Sequence, residues 1–136
     1  MTETLFHKIL SGDIPCKKIY EDEHTFVFLD IRPATRGHML VIPKEFSENI
    51  YDISQQNLQK VVATCKKMAE RAKKVLNCTG CNIIQSSGES AEQEVKYIHF
   101  HVIPRYEDGK FKLWSNRYGN KDELDQVHKL LSDEAS

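Results

Sequence analysis

The sequence QEVKYIHFHVIPR, residues 93–105, decides the fold, and the rest of the chain is arranged around it. Side chains alternate between two faces from residue 97 to residue 103, which is the period of a β-strand with one buried face. One face carries Ile98, Phe100 and Val102, and the other carries Tyr97, His99 and His101. We therefore predict a strand that buries its apolar face and presents two histidines on the opposite face.

The paired histidines His99 and His101 would have Cβ atoms about 6–7 Å apart, since a strand rises about 3.3 Å per residue. This distance suits two imidazoles that hold one small anionic group between them. The spacing alone leaves two other interpretations open. The pair could be solvated on a polar strand face, or it could bind a metal ion, for which the flanking stretch offers only Glu94 as a further ligand.

The composition limits the class of protein. The chain has 136 residues, enough for one domain with a buried core, and its 40% apolar and 29% charged residues are typical of a soluble globular protein. A net charge of −1 argues against a dedicated nucleic-acid or membrane-surface protein, since both usually carry a basic excess. The sequence contains no signal-like or membrane-spanning apolar run, so we expect a cytoplasmic protein.

The four cysteines do not complete a metal or redox motif. Cys78 and Cys81 have the spacing of such a motif, but no second pair follows that could finish a zinc site. Cys65 lies on the apolar face of a predicted helix, and Cys16 follows a proline. We interpret the cysteines as reduced structural thiols.

Hydrophobic periodicity divides the chain into three helices and five strands. The predicted helices cover residues 5–10, 55–76 and 122–131, and the predicted strands cover residues 18–21, 24–30, 37–44, 81–86 and 97–103. The long helix has an apolar stripe at steps of three and four residues, and Ser54 is its predicted N-cap. Asp30 ends the second strand on an aromatic face, and His38 shares one face of the third strand with Leu40.

Several sequence blocks occur in a characteristic order. They are LFHKI at 5–9, DIP at 13–15, IYED at 19–22, FLDIRP at 28–33, GHMLVIPK at 37–44, and QxVxxxHxHxxPR at 93–105. Together these blocks resemble the histidine triad (HIT) family of nucleotide hydrolases and transferases. The resemblance implies an α+β fold, in which an antiparallel sheet of about five strands is backed by one long helix, with short N- and C-terminal helices. It also implies a single domain over residues 1–136 and a homodimer formed through the long helix and the fourth strand.

The same resemblance implies a role for each polar residue of the motif. His99 corresponds to the nucleophile, His101 to a ligand of the phosphate oxygens, and His38 to a further histidine beside them. Gln93 corresponds to a phosphate ligand, and Asp30 to the acid that binds the ribose hydroxyls. The other implied substrate-binding residues are Leu5, Phe6, Ile9, Phe28, Ile31 and Leu40 around the base, Ser86 near the phosphate, and Glu94 and Val95 beside Gln93.

The implied activity is hydrolysis of purine nucleoside monophosphate conjugates, namely phosphoramidates, acyl-adenylates or dinucleoside polyphosphates of AMP or GMP. A neutral imidazole can attack the α-phosphate near neutral pH because its pKa lies close to about 6.5. The attack gives a covalent nucleotidyl-histidine, which water then hydrolyses without a cofactor. The alternative is a nucleotide-binding or scaffold protein with weak or no catalysis.

The chain departs from the family pattern at the first triad position, where Tyr97 replaces a histidine. The group expected to orient His99 is the backbone carbonyl of residue 97, so the chemistry does not require that histidine. Some family members bind structural zinc at the positions of Thr4, His7, Phe46 and Tyr97. Only His7 could be a ligand here, so we predict no metal. Ser86 replaces a usual asparagine and Glu92 a usual glycine, which bears on substrate preference and rate.

Overall fold

The computed structural model describes residues 3–109, 112–115 and 118–133. Its helices are α1 (Leu5–Ser11), α2 (Gln55–Leu76) and α3 (Lys121–Ser132). Its strands are β1 (Lys18–Glu21), β2 (Thr25–Leu29), β3 (Met39–Pro43), β4 (Gly80–Gln85) and β5 (Phe100–Arg105), and a 3₁₀ turn covers Glu89–Ala91. These elements confirm the predicted α+β class and the predicted order of helices and strands.

The five strands form one antiparallel sheet in the order β1-β2-β3-β5-β4. The strand β5 therefore lies inside the sheet, and β4 forms one edge. Leu40 of β3 and Ile84 of β4 both lie opposite His101 of β5. The backbone of this histidine is restrained from both sides by the sheet, which limits where its side chain can lie.

The long helix α2 packs on one face of the sheet and forms the larger core. The sheet side contributes Val27, Met39, Val41, Ile98, Phe100 and Val102, and the helix contributes Val61, Cys65, Met68 and Ala72. The helix begins where predicted, because the side chain of Ser54 accepts a hydrogen bond from the N–H of Asn57. It ends at Asn77, which adopts the left-handed conformation with φ 58°.

The short helix α1 covers the opposite face of the sheet. Phe6 and Ile9 are buried there in a second core with the aromatic side chains of β2. A reciprocal capping box starts the helix, since Thr4 Oγ1 accepts from the N–H of His7 and His7 Nδ1 accepts from the N–H of Thr4. The helix α1 therefore packs on the face of the sheet that carries the histidines.

The histidine strand begins three residues later than predicted, at Phe100 in place of Tyr97. Residues 97–99 do not join the hydrogen-bond ladder of the sheet, and polar groups of Tyr97 and Ile98 have other partners. The N–H of Ile98 donates to the carbonyl of Ser47 over 2.8 Å, and the phenol of Tyr97 donates to the carbonyl of Pro43 over 2.6 Å. The predicted faces are nevertheless kept, because Ile98 lies in the α2 core and Tyr97 in the α1 core.

The C-terminal helix α3 starts after Asn120, whose side chain accepts from the N–H of Glu123. Its apolar residues Leu124, Val127, Leu130 and Leu131 are all exposed. In the described part of the chain, no helix combines the length and the apolar character needed to cross a membrane.

Candidate active site

A cavity of about 560 Å³ opens on the α1 side of the sheet. Its walls come from α1, the end of β2, the start of β3, the first residues of β5 and the loop that precedes β5. The predicted site residues in these walls are Leu5, Phe6, Ile9, Phe28, Asp30, Ile31, His38, Leu40, Glu94, Val95, His99 and His101. The fold thus brings the histidines, the acid and the apolar side chains to one place.

His99 lines this cavity and is almost fully buried, with 6% of its surface exposed. Its Nδ1 lies 2.7 Å from the backbone carbonyl oxygen of Tyr97. A carbonyl oxygen can only accept, so Nδ1 carries the hydrogen and Nε2 keeps its lone pair. The ring of Phe6 packs edge-on against the imidazole, with ring centroids 5.0 Å apart and an interplanar angle of 90°. These two contacts fix both the tautomer and the orientation of His99.

His38 and His101 are joined by a chain of hydrogen bonds that starts at the backbone. The N–H of Ala34 donates to Nδ1 of His38 over 2.9 Å, so the hydrogen of His38 is on Nε2. This Nε2 lies 2.9 Å from Nδ1 of His101, which therefore accepts. The hydrogen of His101 is then on its own Nε2. His101 can thus donate to a ligand in the cavity, whereas His99 can attack one.

Burial lowers the pKa of all three histidines below the ordinary value. For His38 the effect of burial exceeds the raising effect of the Asp30 carboxylate on the pKa. For His99, burial lowers the pKa by more than the hydrogen bond to the Tyr97 carbonyl and the carboxylates of Asp30 and Glu94 raise it. For His101, burial and the neighbouring imidazoles lower the pKa to about 4. The three rings are therefore uncharged near neutral pH, as the tautomers above require.

The turn between β2 and β3 positions Asp30 and His38. The N–H of Asp30 donates to the carbonyl of His38 over 3.0 Å, and Oδ1 of Asp30 accepts from the N–H of Arg32 over 2.8 Å. Gly37 adopts φ 88°, and a Cβ at this residue would overlap the side chain of Leu76 on α2. The turn therefore packs closely on α2, and Oδ2 of Asp30 lies 3.6 Å from Nε2 of His38.

Two residues of the predicted site, Gln93 and Ser86, are not among the residues that line the cavity. Gln93 is buried, and its Oε1 accepts from the N–H of Gly88 over 2.8 Å. Its Nε2 donates to the carbonyl of Glu48 over 2.7 Å and to that of Val95 over 3.1 Å. Both amide hydrogens are therefore used within the protein. In this structure Gln93 holds the loop before β5 in place, and its contact with the phosphate stays a prediction.

Sequence reasoning missed several cavity residues, namely Ile14, Pro15, Cys16, Leu29, Arg32 and Glu92. Ile14, Pro15 and Arg32 belong to the sequence blocks quoted above, so their neighbours in those blocks were the available signal. Glu92 was noted only as a departure from glycine. The apolar residues of this group extend the apolar wall of the cavity beside α1. The charged residues Arg32 and Glu92 add one positive and one negative group to the cavity lining.

Asp30, His38 and His101 have potential ligand atoms within 4.8 Å of one another, and the described residues contain no other group of this kind. The hydrogen-bond chain argues against a metal ion at this point. Nε2 of His38 carries a hydrogen because Nδ1 is occupied by the N–H of Ala34, and a protonated ring nitrogen is not a metal ligand. We therefore interpret the cluster as a hydrogen-bond relay.

Comparison with known proteins agrees with this geometry. The family model described as the HIT domain matches residues 11–108. The chain belongs to the HIT family. A HIT relative from Saccharomyces cerevisiae, an adenosine 5'-monophosphoramidase, is 33% identical over 129 residues, which cover 93% of this chain and 79% of the yeast protein. A solved structure from Streptococcus mutans has a TM-score of 0.89 at 37% identity, and the match covers 97% of this chain and 85% of that chain.

A zinc-bound HIT protein from Mycobacterium smegmatis is also similar, with 36% identity, a TM-score of 0.77 and 96% of each chain covered. The positions where the family resemblance implies zinc do not fit a metal in the present HIT protein. Nδ1 of His7 accepts from the N–H of Thr4, and its Nε2 is buried without a hydrogen-bond partner among the described residues. The ring centroids of Phe46 and Tyr97 lie 4.7 and 4.9 Å from that of His7. An aromatic cluster thus surrounds His7.

Proposed function

We propose that this HIT protein hydrolyses conjugates of a purine nucleoside monophosphate at the α-phosphate. One observation carries the proposal: His99 gives its Nδ1–H to a backbone carbonyl, so its Nε2 is an uncharged nucleophile in the wall of a cavity. The name of the yeast relative, adenosine 5'-monophosphoramidase, supports a conjugate with a phosphorus–nitrogen bond. Acyl-adenylates and dinucleoside polyphosphates belong to the same proposed class.

The proposed reaction has two displacements at phosphorus. In the first, Nε2 of His99 forms a bond to phosphorus, and the bond to the leaving group breaks with its electron pair on the leaving atom, which takes up a proton from solvent. In the second, a water oxygen attacks the phosphorus of the nucleotidyl-histidine and loses a proton to solvent. The bond to Nε2 then breaks, which restores His99 and releases the nucleoside monophosphate. Covalent catalysis of this kind divides one difficult step into two easier ones.

His101 and His38 have supporting roles in this proposal. The Nε2–H of His101 donates to a phosphoryl oxygen, where negative charge develops in the transition state. His38 keeps His101 in the donating tautomer, because the Nε2–H of His38 occupies Nδ1 of His101. Loss of one such donor typically costs about 10²–10³-fold in rate.

The apolar side of the cavity is the proposed site for the purine and the ribose. Leu5 and Ile31 are 45% and 88% exposed, so a bound base would remove apolar surface from water. Phe6 and Phe28 form the wall behind them, with ring centroids 5.4 Å apart. The carboxylate of Asp30, which lines the same cavity as these apolar side chains, is the proposed acceptor for the ribose hydroxyls.

A single-turnover experiment tests the proposal. Excess enzyme is mixed with adenosine 5'-phosphoramidate that carries a radioactive phosphorus, and the reaction is quenched at increasing times. We expect label on the protein before free AMP appears, and no protein label in the His99→Ala variant. A panel with an acyl-adenylate and a dinucleoside polyphosphate then identifies which leaving groups the enzyme accepts.

The alternative function is nucleotide binding without useful catalysis. It would replace the hydrolase if all three substrate types stayed intact while calorimetry still showed AMP binding. The HIT fold with a substituted first triad residue makes this comparison necessary. The intact tautomer of His99 favours the enzyme, because a binding protein has no need of a free Nε2 lone pair.

The assembly and the compartment are further parts of the proposal. We propose a homodimer through α2 and β4, since β4 is an edge strand and Val62, Val75 and Ile83 expose apolar surface on these two elements. Ultracentrifugation of Ile83→Lys tests it, with dissociation expected. The four cysteines are free thiols, which supports the reducing cytosol as the compartment.

A further inference from the structure

The charged residues that line the cavity are mostly acidic. Among the described lining residues, Asp30, Glu92 and Glu94 carry carboxylates, and Arg32 carries the only guanidinium or ammonium group. Arg32 is paired with Glu94, with Nη2 of the arginine 3.0 Å from Oε2 of the glutamate. The histidines of the cavity are uncharged near neutral pH because burial lowers their pKa. The cavity wall therefore has a net negative charge, although the proposed substrate is itself anionic at phosphorus.

The two glutamates lie on the loop that leads to the nucleophile. The carboxylate of Glu94 is close enough to His99 to act on the pKa of that imidazole, which it raises. Asp30 is assigned to the ribose in the proposed function, whereas Glu92 and Glu94 line the cavity from the loop that leads to His99. Both glutamates are exposed.

Glu92 is held in this place at a conformational cost. It adopts φ 68°, a left-handed conformation that is unfavourable for a residue with a Cβ. Its N–H donates to the carbonyl of Glu89, and the buried amide of Gln93 ties the same loop to Gly88 and Glu48. The loop is thus fixed by several hydrogen bonds, and the carboxylate of Glu92 is attached to a rigid segment of the cavity wall.

We propose that Glu92 and Glu94 select the leaving group by charge, favouring an amine that carries a second positive charge and disfavouring anionic groups such as a polyphosphate. This inference rests on the proposed hydrolase function and narrows its substrate class. A cationic group next to the two carboxylates gains attraction in the bound state and the transition state. A polyphosphate would instead bring several negative charges to a wall that is already negative.

The ion pair between Arg32 and Glu94 makes the two glutamates unequal in their expected effect on selection. In the wild type its charge is engaged by Glu94. Removing the Glu94 carboxylate changes the net charge of the wall by one unit, as removing that of Glu92 does, but it also leaves the guanidinium of Arg32 without its carboxylate partner. The Glu94→Gln variant should therefore lose more of the preference for cations than Glu92→Gln does.

Three adenosine phosphoramidates of equal length test the inference. Their leaving amines are 1,3-diaminopropane, butylamine and 4-aminobutanoate, which place an ammonium nitrogen, a methyl carbon or a carboxylate carbon at the fourth atom from the leaving nitrogen. The assays contain no divalent cation, so that no metal masks the charge of the substrate. We expect kcat/KM to fall in the order ammonium, methyl, carboxylate, and we expect added salt to compress the differences.

Each glutamine variant should reduce the ratio between the ammonium and carboxylate substrates. The expected reduction is about two- to five-fold per carboxylate, as for exposed ion pairs, with the larger change for Glu94→Gln. Glu89→Gln is the matched control, because Glu89 is exposed on the same loop but does not line the cavity. It should keep the wild-type ratio.

The outcomes separate this inference from the proposed function. Hydrolysis of the butylamine conjugate with equal rates for the two charged substrates would overturn the charge selection and leave the hydrolase in place. An unchanged ratio in both the Glu92→Gln and Glu94→Gln variants would overturn it as well. Failure to hydrolyse any of the three phosphoramidates would overturn the inference, and it would refute the proposed function only if the acyl-adenylate and the dinucleoside polyphosphate also stayed intact.

Discussion

The Nδ1–H of His99 donates to the backbone carbonyl oxygen of Tyr97 over 2.7 Å. The acceptor is a main-chain atom, so this hydrogen bond is compatible with any side chain at position 97. The phenol of Tyr97 in turn donates to the carbonyl of Pro43 over 2.6 Å, and its ring packs against Phe6. The side chain of Tyr97 thus anchors the carbonyl that orients His99.

Replacing His99 with alanine is expected to abolish hydrolysis and to leave nucleotide binding in place. Alanine removes the Nε2 nucleophile, whereas Asp30 and the apolar slot are unchanged. AMP release measured by chromatography and AMP affinity measured by calorimetry check the two parts. His24→Ala is the control, because it removes a partly exposed histidine of the β1–β2 hairpin, outside the cavity wall. Undiminished turnover in the His99 variant would contradict the mechanism.

Asp30→Asn is expected to weaken the binding of ribonucleotides more than the binding of 2'-deoxyribonucleotides. A carboxylate that accepts from ribose hydroxyls makes charge-assisted hydrogen bonds worth about 1.5–3 kcal/mol each, and asparagine loses that charge. Asparagine keeps an oxygen that can accept from the N–H of Arg32, so the turn should persist. Calorimetry with AMP and dAMP measures the difference. Equal weakening of both nucleotides would mean that Asp30 only holds the turn.

The activity should depend on pH through the buried histidines. Burial lowers the pKa of His99, so its Nε2 keeps the lone pair at pH values below the ordinary histidine pKa of about 6.5. We expect kcat/KM to stay level from neutral pH down to about 6.5 and to fall only in more acidic solution. The apparent pKa of that fall belongs to His99 and His101 together, because the two rings interact. A fall that begins above neutral pH would contradict this assignment.

The free energy of unfolding should also depend on pH in acidic solution. The pKa of His101 is about 4 in the folded protein, against about 6.5 in the unfolded chain. Between these values the unfolded state binds more protons, so the free energy of unfolding decreases as the pH falls through this window. Urea denaturation at several pH values measures the slope, and His101→Gln should reduce it. His128→Gln, on the exposed surface of α3, is the control and should keep the wild-type slope.

The sequence predicted the fold well where local signals decide the structure. The helix α2 has the predicted bounds because Ser54 caps it and its apolar stripe packs on the sheet. The two-residue period also placed His99 and His101 correctly on the face opposite the α2 core. Local patterns were sufficient in these cases because the burial of each side chain follows directly from its position along the element.

The remaining details depend on partners that are distant in the sequence. The first residues of the predicted histidine strand leave the sheet because Ile98 and Tyr97 bind the carbonyls of Ser47 and Pro43. Gln93 turns its amide inward because the carbonyl of Glu48 lies within reach. No periodicity carries information on such contacts. A family resemblance likewise assigns a role to Gln93 without showing which hydrogen bonds this chain offers it.

Tyr97→Phe is expected to destabilise the protein modestly and to lower kcat less than His101→Ala does. The variant loses the hydrogen bond to the carbonyl of Pro43, which is worth about 0.5–1.5 kcal/mol, but keeps the carbonyl that orients His99. Thermal denaturation and steady-state kinetics measure the two effects. Tyr51→Phe is the control, because Tyr51 is 86% exposed and should tolerate the change. A loss of activity in Tyr97→Phe as large as in His99→Ala would mean that the phenol acts at the phosphate.

The purified protein is expected to contain no stoichiometric zinc, and chelators should change neither its melting temperature nor its activity. Only His7 carries a metal-binding side chain among the four positions where the family resemblance implies zinc, and its Nδ1 already accepts from the N–H of Thr4. Tyr97→His adds a second imidazole, which is still too few ligands for a tetrahedral site. Elemental analysis of the wild type and of this variant should therefore find no zinc.

A triple variant supplies the matched positive control for this prediction. Thr4→Cys, Phe46→His and Tyr97→His together place three new ligands around His7, whose ring already lies 4.7 and 4.9 Å from the rings of Phe46 and Tyr97. Four ligands meet the requirement of a structural zinc site, so this variant should bind one zinc ion per chain and become sensitive to chelators. One zinc ion per chain in the wild type would contradict the prediction and direct attention to Cys78 and Cys81.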